Sequence, residues 1–349
     1  MDSVTQAVLG ASIQGALLGR WQGRKALLYG AVLATLPDLD ILIDYGDPVA
    51  NMTHHRSFSH SLLVLTGASI LMSWLIVKMK PRLPYSPWRL WVTLWLVLIT
   101  HPLLDTMTTY GTQLLWPFEP PPAAISSIFI IDPLYTLPLL IGVLIATCSS
   151  ASPQQAVRPQ KALIVGLMLS SLYLVWSYGA QQWITHRVMA QARADHVSAD
   201  KILVVPAPFT TFLWRVVMLD DQGQFTEGLV GVFDRTPPHW VTLPLGQPPE
   251  PALAQLSDYQ RMQWFTQGFL RQDLADNEWI VTDLRLGMTG LHPFRFGLAT
   301  EDDGHWQPMT PAHRLPRVQP DWDRIRLLWQ RIWNDQTPVP LAEWAKGIR

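Results

Sequence analysis

Residues 54–61 read HHRSFSHS and run straight into the apolar stretch LLVLTGASILMSWLIV (62–77). A little earlier, the run ALLYGAVLATLPDLDILI (26–43) carries two carboxylates, Asp38 and Asp40, near its end. An ionised side chain at mid-bilayer costs about 2.5–3.5 kcal/mol on insertion scales. Imidazoles and carboxylates that gather beside apolar runs therefore need a compensating partner, and that requirement decides how the rest of the chain is read.

The apolar content is 48% against 15% charged residues, a balance skewed toward membrane proteins. The skew ends near residues 181–187, where charge and proline return to ordinary frequency. A transmembrane domain over 1–180 and a second domain over 187–349 are thus expected. Further runs at 88–104, 128–147 and 161–179, with a weaker one at 3–19 interrupted by Gln6 and Gln14, bring the expectation to about six membrane helices. The fold class expected is an all-α membrane-embedded bundle followed by a small α+β domain.

Basic residues mark one side of these runs: Arg20, Arg24 and Lys25, then Lys78, Lys80, Arg82 and Arg89, then Arg158 and Lys161. By the bias of Lys and Arg toward the cytoplasm, both termini and the C-terminal domain lie outside a bacterial inner membrane. The net charge of −1 and the lack of a basic stripe exclude nucleic acid as a stable partner. Membrane lipids are the partners expected. The single cysteine, Cys148, ends an apolar run and reads as a small buried hydrophobe.

On this layout every acidic or imidazole group of the membrane half falls at one depth. Asp38, Asp40, His54, His55, His60, His101, Asp105 and Asp132 all occupy the outer layer. His101 and Asp105 are four apart and share a helix face, with Pro102 suggesting a kink beside them. Asp38 and Asp40 follow Pro37, and in extended backbone they project together. His55 is expected from the loop and His60 from the first helical turn, capped by Ser57 or Ser59.

Mixed imidazole and carboxylate donors suit zinc, manganese or iron, as one ion or two. The metal ligands expected are Asp38, Asp40, His55, His60, His101 and Asp105. Asp132 is read as a ligand, a general base or a hydrogen-bond acceptor that fixes an imidazole, and Arg56 as a charge for an anionic substrate group. Each string also has a plainer reading: a hydrogen-bonded His–Asp pair, a solvated loop, a helix-ending turn.

Those strings, together with MDSVTQAVLGA (1–11), THPLLDTMTTYGTQLLWPF (100–118) and IFIIDPLYTLPLL (128–140), resemble the membrane-bound metal-dependent hydrolases of the YdjM-like family over about residues 1–180. The family is regarded as similar in its metal site to zinc-dependent phospholipase C and P1 nuclease. The resemblance implies hydrolysis of a phosphoester, and the depth of the site adds a lipid or lipid-linked substrate. Many family members carry His where this chain has Gln6, so Gln6 is expected to hydrogen-bond a ligand or orient a water. The rival expectation is a non-enzymatic membrane metal-binding protein, a transporter or a scaffold. Transport fits less well, because the inner ends of the runs hold only basic residues and prolines.

In the C-terminal part, 201–205, 211–219, 225–233, 278–286 and 293–298 have strand composition, with DDQG (220–223) as a hairpin turn. Helices are expected over 256–267 and 321–334, the latter with Ile325, Leu328 and Ile332 on one face.

Overall fold

The computed structural model describes residues 1–149, 157–194, 199–316 and 322–346. The chain divides into two compact units: Met1–Leu42 with Arg56–Tyr178, and Ile43–His55 with Gly179–Arg349.

The first unit is helical. It holds α1 (Ser3–Gln22), α2 (Lys25–Thr35), α4 (Leu62–Met79), α5 (Pro87–Thr106), α6 (Pro133–Cys148) and the start of α7 (Val157–Ala194); α3 (Pro48–His54) belongs to the second unit. Its core joins Val8, Leu9 and Ile13 of α1 with Leu90, Leu94 and Val97 of α5 and with Tyr135 and Leu139 of α6. Helices touch through glycines. A methyl at Gly30 would collide with the carbonyl of Gly10, and one at Gly166 would sit 2.6 Å from the carbonyl oxygen of Pro138. Small residues let backbones approach where apolar side chains alone give no preference for protein over lipid.

The expected six-span bundle is not what forms. Among the described residues, only Leu62–Met79 and Arg158–Ala194 are long and apolar enough to cross a bilayer. The run at 26–43 is cut at Thr35, after which Pro37–Leu42 winds as a 3-10 turn; α2 is then 11 residues, about 16 Å against a hydrocarbon core of about 30 Å. The run at 128–147 becomes helical only at Pro133, leaving 16 residues. α1 and α5 have 20 residues each, but they are core helices with buried polar groups, among them Gln6, Gln14, His101 and Asp105. Large apolar side chains stand exposed along α4, α6 and α7, as in Ile70, Leu71, Ile141, Leu144, Met168 and Leu172. Such a surface suits contact with lipid. Cys148 is exposed, as the last residue of α6 beyond its packed face.

α7 has 38 residues, about 57 Å, so it outruns any bilayer and continues into the second unit. That unit is larger than the small domain expected. It carries two antiparallel four-stranded meanders. One is β1 (Lys201–Pro206), β2 (Leu213–Leu219), β3 (Gln224–Gly231) and β4 (Trp240–Pro244); the other is β5 (Leu270–Ala275), β6 (Glu278–Asp283), β7 (Arg295–Asp302) and β8 (His305–Arg314). Helices α8 (Ser257–Thr266), α9 (Trp322–Trp333) and α10 (Leu341–Lys346) complete it. The segment 43–55 is tied in through Asp47, whose carboxylate accepts from the backbone N–H of Ala312 at 2.8 Å.

Buried charges in this unit are paired. Arg215 grips Glu227 with two hydrogen bonds, at 2.8 and 3.1 Å, and donates to the carbonyl of Leu284 at 2.6 Å. His292 is buried beside them, its Nδ1 donating to the carbonyl oxygen of Leu286. Burial, and then the nearby Arg215 charge, pull its pKa down to about 4.

Two outcomes follow. Gly30→Ala should destabilise the first unit by about 1–3 kcal/mol through overpacking, whereas Gly67→Ala, where a methyl meets open space, should not; thermal unfolding in detergent reads the contrast. Between pH 6.5 and 4 the unfolded chain binds a proton at residue 292 that the folded chain refuses, so stability falls as pH drops through that window. His292→Asn should flatten that slope in pH-dependent denaturation, and an unchanged slope would show that other groups carry it.

Candidate metal centre

The centre is assembled from three pieces of the first unit. In the turn after α2, Pro37 and the two Asp residues wind as a 3-10 segment rather than extended chain. Positions two apart on such a turn point in different directions. Asp38 and Asp40 accordingly lie on opposite sides of the His60 ring, Oδ1 of Asp38 at 3.4 Å from Nε2 and Oδ2 of Asp40 at 3.7 Å from Nδ1.

His60 closes the short 3-10 turn Phe58–His60 just outside α4, and Ser61, not Ser57 or Ser59, caps that helix. The hydroxyl of Ser59 donates to Asp40 at 2.6 Å and sits 2.9 Å from His60 Nδ1. Its own hydrogen is given to Asp40, so its oxygen accepts from His60 Nδ1–H. His60 then turns Nε2 toward the centre as an acceptor when the ring is neutral.

His101 and Asp105 lie one turn apart on α5, which runs unbroken through Pro102. Nδ1 of His101 is 2.6 Å from the carbonyl oxygen of Ala34 and must carry the hydrogen there. Its Nε2 therefore also faces inward as an acceptor when the ring is neutral. Asp105 uses Oδ1 to accept from Gln6 Nε2 at 3.2 Å and from the amino group of Met1, while Oδ2 is buried without a hydrogen-bond donor.

Four atoms thus converge: His60 Nε2, His101 Nε2, Asp38 Oδ1 and Asp105 Oδ2, all within 4.8 Å of one another. The two imidazole nitrogens are 3.2 Å apart. His60 lies 3.4 Å from Asp38 and 3.1 Å from Asp105, His101 at 3.3 and 3.5 Å from the same two. For donors about 2.0–2.1 Å from a zinc in a tetrahedral shell, the edges are about 3.3–3.4 Å. The five edges seen here match that figure. Two carboxylates also balance a divalent charge, which makes the filled centre neutral in a setting that penalises net charge.

The remaining expected site residues fall elsewhere. Asp40 braces His60. Arg56, in a left-handed backbone conformation with φ 64°, donates its backbone N–H to Asp40 at 2.9 Å; its Nε lies 3.4 Å from Asp105 and its guanidinium 5.0 Å over the Tyr110 ring. Its charge is directed at a ligand carboxylate. Asp132 caps α6, accepting from the N–H groups of Leu134 and Tyr135 and from the Tyr173 hydroxyl at 2.9 Å. His55 caps the end of α3 in the second unit and is not among the four donors. Gln6, expected to hydrogen-bond a ligand or orient a water, is buried on α1 and donates to Asp105 Oδ1 and to the carbonyl oxygen of His101, each at 3.2 Å.

The profile of the YdjM inner membrane protein family matches residues 1–184. The chain is 34% identical over 98 residues to the inner membrane protein YbcI of Escherichia coli (strain K12), covering 27% of this chain and 55% of that one. It is 27% identical over 140 residues to the uncharacterized protein YfhP of Bacillus subtilis (strain 168), covering 38% of this chain and 42% of that one. The chain thus spans about half the length of the curated relatives it matches. No solved structure matches it.

Metal analysis of the full chain in detergent should find about one transition-metal ion per chain, lost in His60→Ala and His101→Ala and released on acidification as protons compete for the donors. Asp40→Asn should weaken affinity about 10- to 100-fold by freeing the His60 ring, while His55→Ala should leave metal content unchanged. Equal metal content in all four variants would refute the centre.

Proposed function

The chain belongs to the YdjM inner membrane protein family, and from that premise we propose that it is a metal-dependent hydrolase of the bacterial inner membrane acting on a phosphoester, most simply a lipid or lipid-linked phosphate. The convergence of two imidazoles and two carboxylates on one buried point carries this reading.

A divalent cation held there supplies Lewis acidity, lowering the pKa of a water toward neutrality and taking up charge on a phosphoryl oxygen. The residues supply preorganisation. Ala34 fixes the His101 ring, Ser59 and Asp40 fix His60, and Gln6 with Arg56 fixes Asp105, so no donor has to reorient during turnover. His60, His101 and Asp105 are fully buried, whereas the Asp38 side chain keeps 20% of its surface. Substrate and water therefore approach along the Asp38 edge.

The proposed orientation rests on the charges that flank the two candidate spans. Lys78, Lys80 and Arg82 gather at the end of α4, and Arg158 and Lys161 at the start of α7, which assigns those ends to the cytoplasm. His60, at the opposite end of α4, then lies at the outer face. On this reading the second unit, which takes in the C-terminal part of α7, is extracytoplasmic.

One observation favours a second reading, a non-enzymatic metal-binding role. Four protein donors already complete a tetrahedral shell, whereas catalytic zinc sites keep a position open. Assaying the metal-loaded protein on bis(p-nitrophenyl) phosphate and on phosphatidylglycerol vesicles separates the two. Hydrolysis should fall at least about 100-fold in His101→Ala and persist in Asp132→Asn, since Asn also caps helices well. Full metal content with no turnover on any phosphoester would leave the non-enzymatic role standing.

A further inference from the structure

The second unit contains a cavity of about 140 Å³ lined by Arg187, Val188 and Gln191 of α7, Val230 of β3 and the loop from Arg235 to Pro238. The loop is held rigidly. Asp335 accepts from the N–H groups of Arg235 and Thr236 and from the Thr236 hydroxyl, each at 3.0 Å. Asp234 is clamped by Arg331 through two hydrogen bonds of 2.6 Å and accepts from the N–H of Gly231.

These contacts occupy the nearby carboxylates. Among the described residues, no carboxylate pairs with the guanidinium of Arg187 or of Arg235. Arg187 makes two long hydrogen bonds, 3.5 Å each, to the carbonyl oxygens of Gly231 and Thr236, and its guanidinium lies 5.9 Å over the Trp183 ring. Two cationic forks lining one small cavity are suited to a phosphate, which guanidinium groups bind in two-point fashion. The volume admits a headgroup phosphate and excludes a whole lipid.

Aromatic side chains next to this loop in the chain and next to its anchor Asp335 point to the rest of the ligand. Phe233, two residues before Arg235, stacks on Phe212 at 5.7 Å and on Trp333 at 5.8 Å, and Trp333 meets Trp329 edge-on at 6.3 Å. Phe233, Trp329 and Trp333 are 52, 56 and 62% exposed. On α9 the residues Trp322, Arg326, Trp329 and Trp333 are spaced 4, 3 and 4 apart and share the outer face, while Leu328 and Ile332 bury the inner one. The core does not use the tryptophans. Tryptophan beside arginine is the composition of the lipid headgroup layer.

We infer that the second unit binds the phosphate of an anionic lipid headgroup between Arg187 and Arg235, with the Phe233–Trp333–Trp329 ladder against the adjoining lipid. The site stands whether or not the metal centre hydrolyses anything. Isothermal titration of the full chain in dodecyl maltoside, with dioctanoyl phosphatidylglycerol, dioctanoyl phosphatidylcholine and inorganic phosphate as separate probes, tests it.

Phosphatidylglycerol should bind most tightly, and Arg235→Gln, an exposed position, should weaken it about tenfold. Trp333→Ser should weaken the lipid and leave inorganic phosphate unaffected. Equal binding of inorganic phosphate and lipid, with Trp333→Ser silent, would overturn the lipid assignment. Binding unchanged in Arg235→Gln, or abolished by His101→Ala, would move the ligand to another site and overturn the proposal. Self-association that Trp333→Ser abolishes would assign the aromatic face to a second copy, and would overturn it too.

Discussion

Two imidazole nitrogens stand 3.2 Å apart and 3.1–3.5 Å from two carboxylate oxygens, with no hydrogen-bond network among the four that neutral rings can satisfy. Both Nδ1 atoms are committed as donors, to Ala34 and to Ser59, so both Nε2 atoms turn lone pairs or protons toward the same point. A cation resolves the conflict, because lone pairs that repel one another become its ligands.

The helices of the first unit bring the four donor atoms together, and two of them are also long and apolar enough to cross a bilayer. α2 stops early so that Asp38 can enter from a 3-10 turn, and α4 starts late so that His60 can stand just before its cap. The apolar packing of α1 against α5 buries His101 and Asp105 on α5 and sets Gln6 of α1 within reach of Asp105. The close glycine contact of α1 with α2 brings the Asp38 turn into range. Membrane attachment is left to the exposed apolar surfaces of α4 and α7.

Much of the centre was legible. The i, i+4 spacing of His101 and Asp105 on a helix, and the placement of Asp38 and His60 beside apolar runs, follow from elementary periodicity. Asp40 was harder to place, since the separation of DLD into a ligand and a brace depends on 3-10 winding that an extended reading of Pro37 does not reveal. The spans were over-read for a physical reason. Hydropathy reports that a residue is apolar, and Val97, Leu98 or Leu139 are apolar because they face protein, not lipid. In the second unit the strands that composition missed, β4, β5 and β8, are all edges. Edges carry polar residues and proline, as in HWQPMTPAHR, which argues against a strand unless its outer side is free.

The account stands or falls on what surrounds the cation. X-ray absorption at the zinc edge of the metal-loaded full chain measures this directly: a four-atom shell of nitrogen and oxygen at about 2.0–2.1 Å, with multiple scattering from two imidazole rings and no sulfur, is the result expected. A shell of six oxygens, or one without imidazole scattering, would show that the ion sits elsewhere and that His60 and His101 face each other for some other cause.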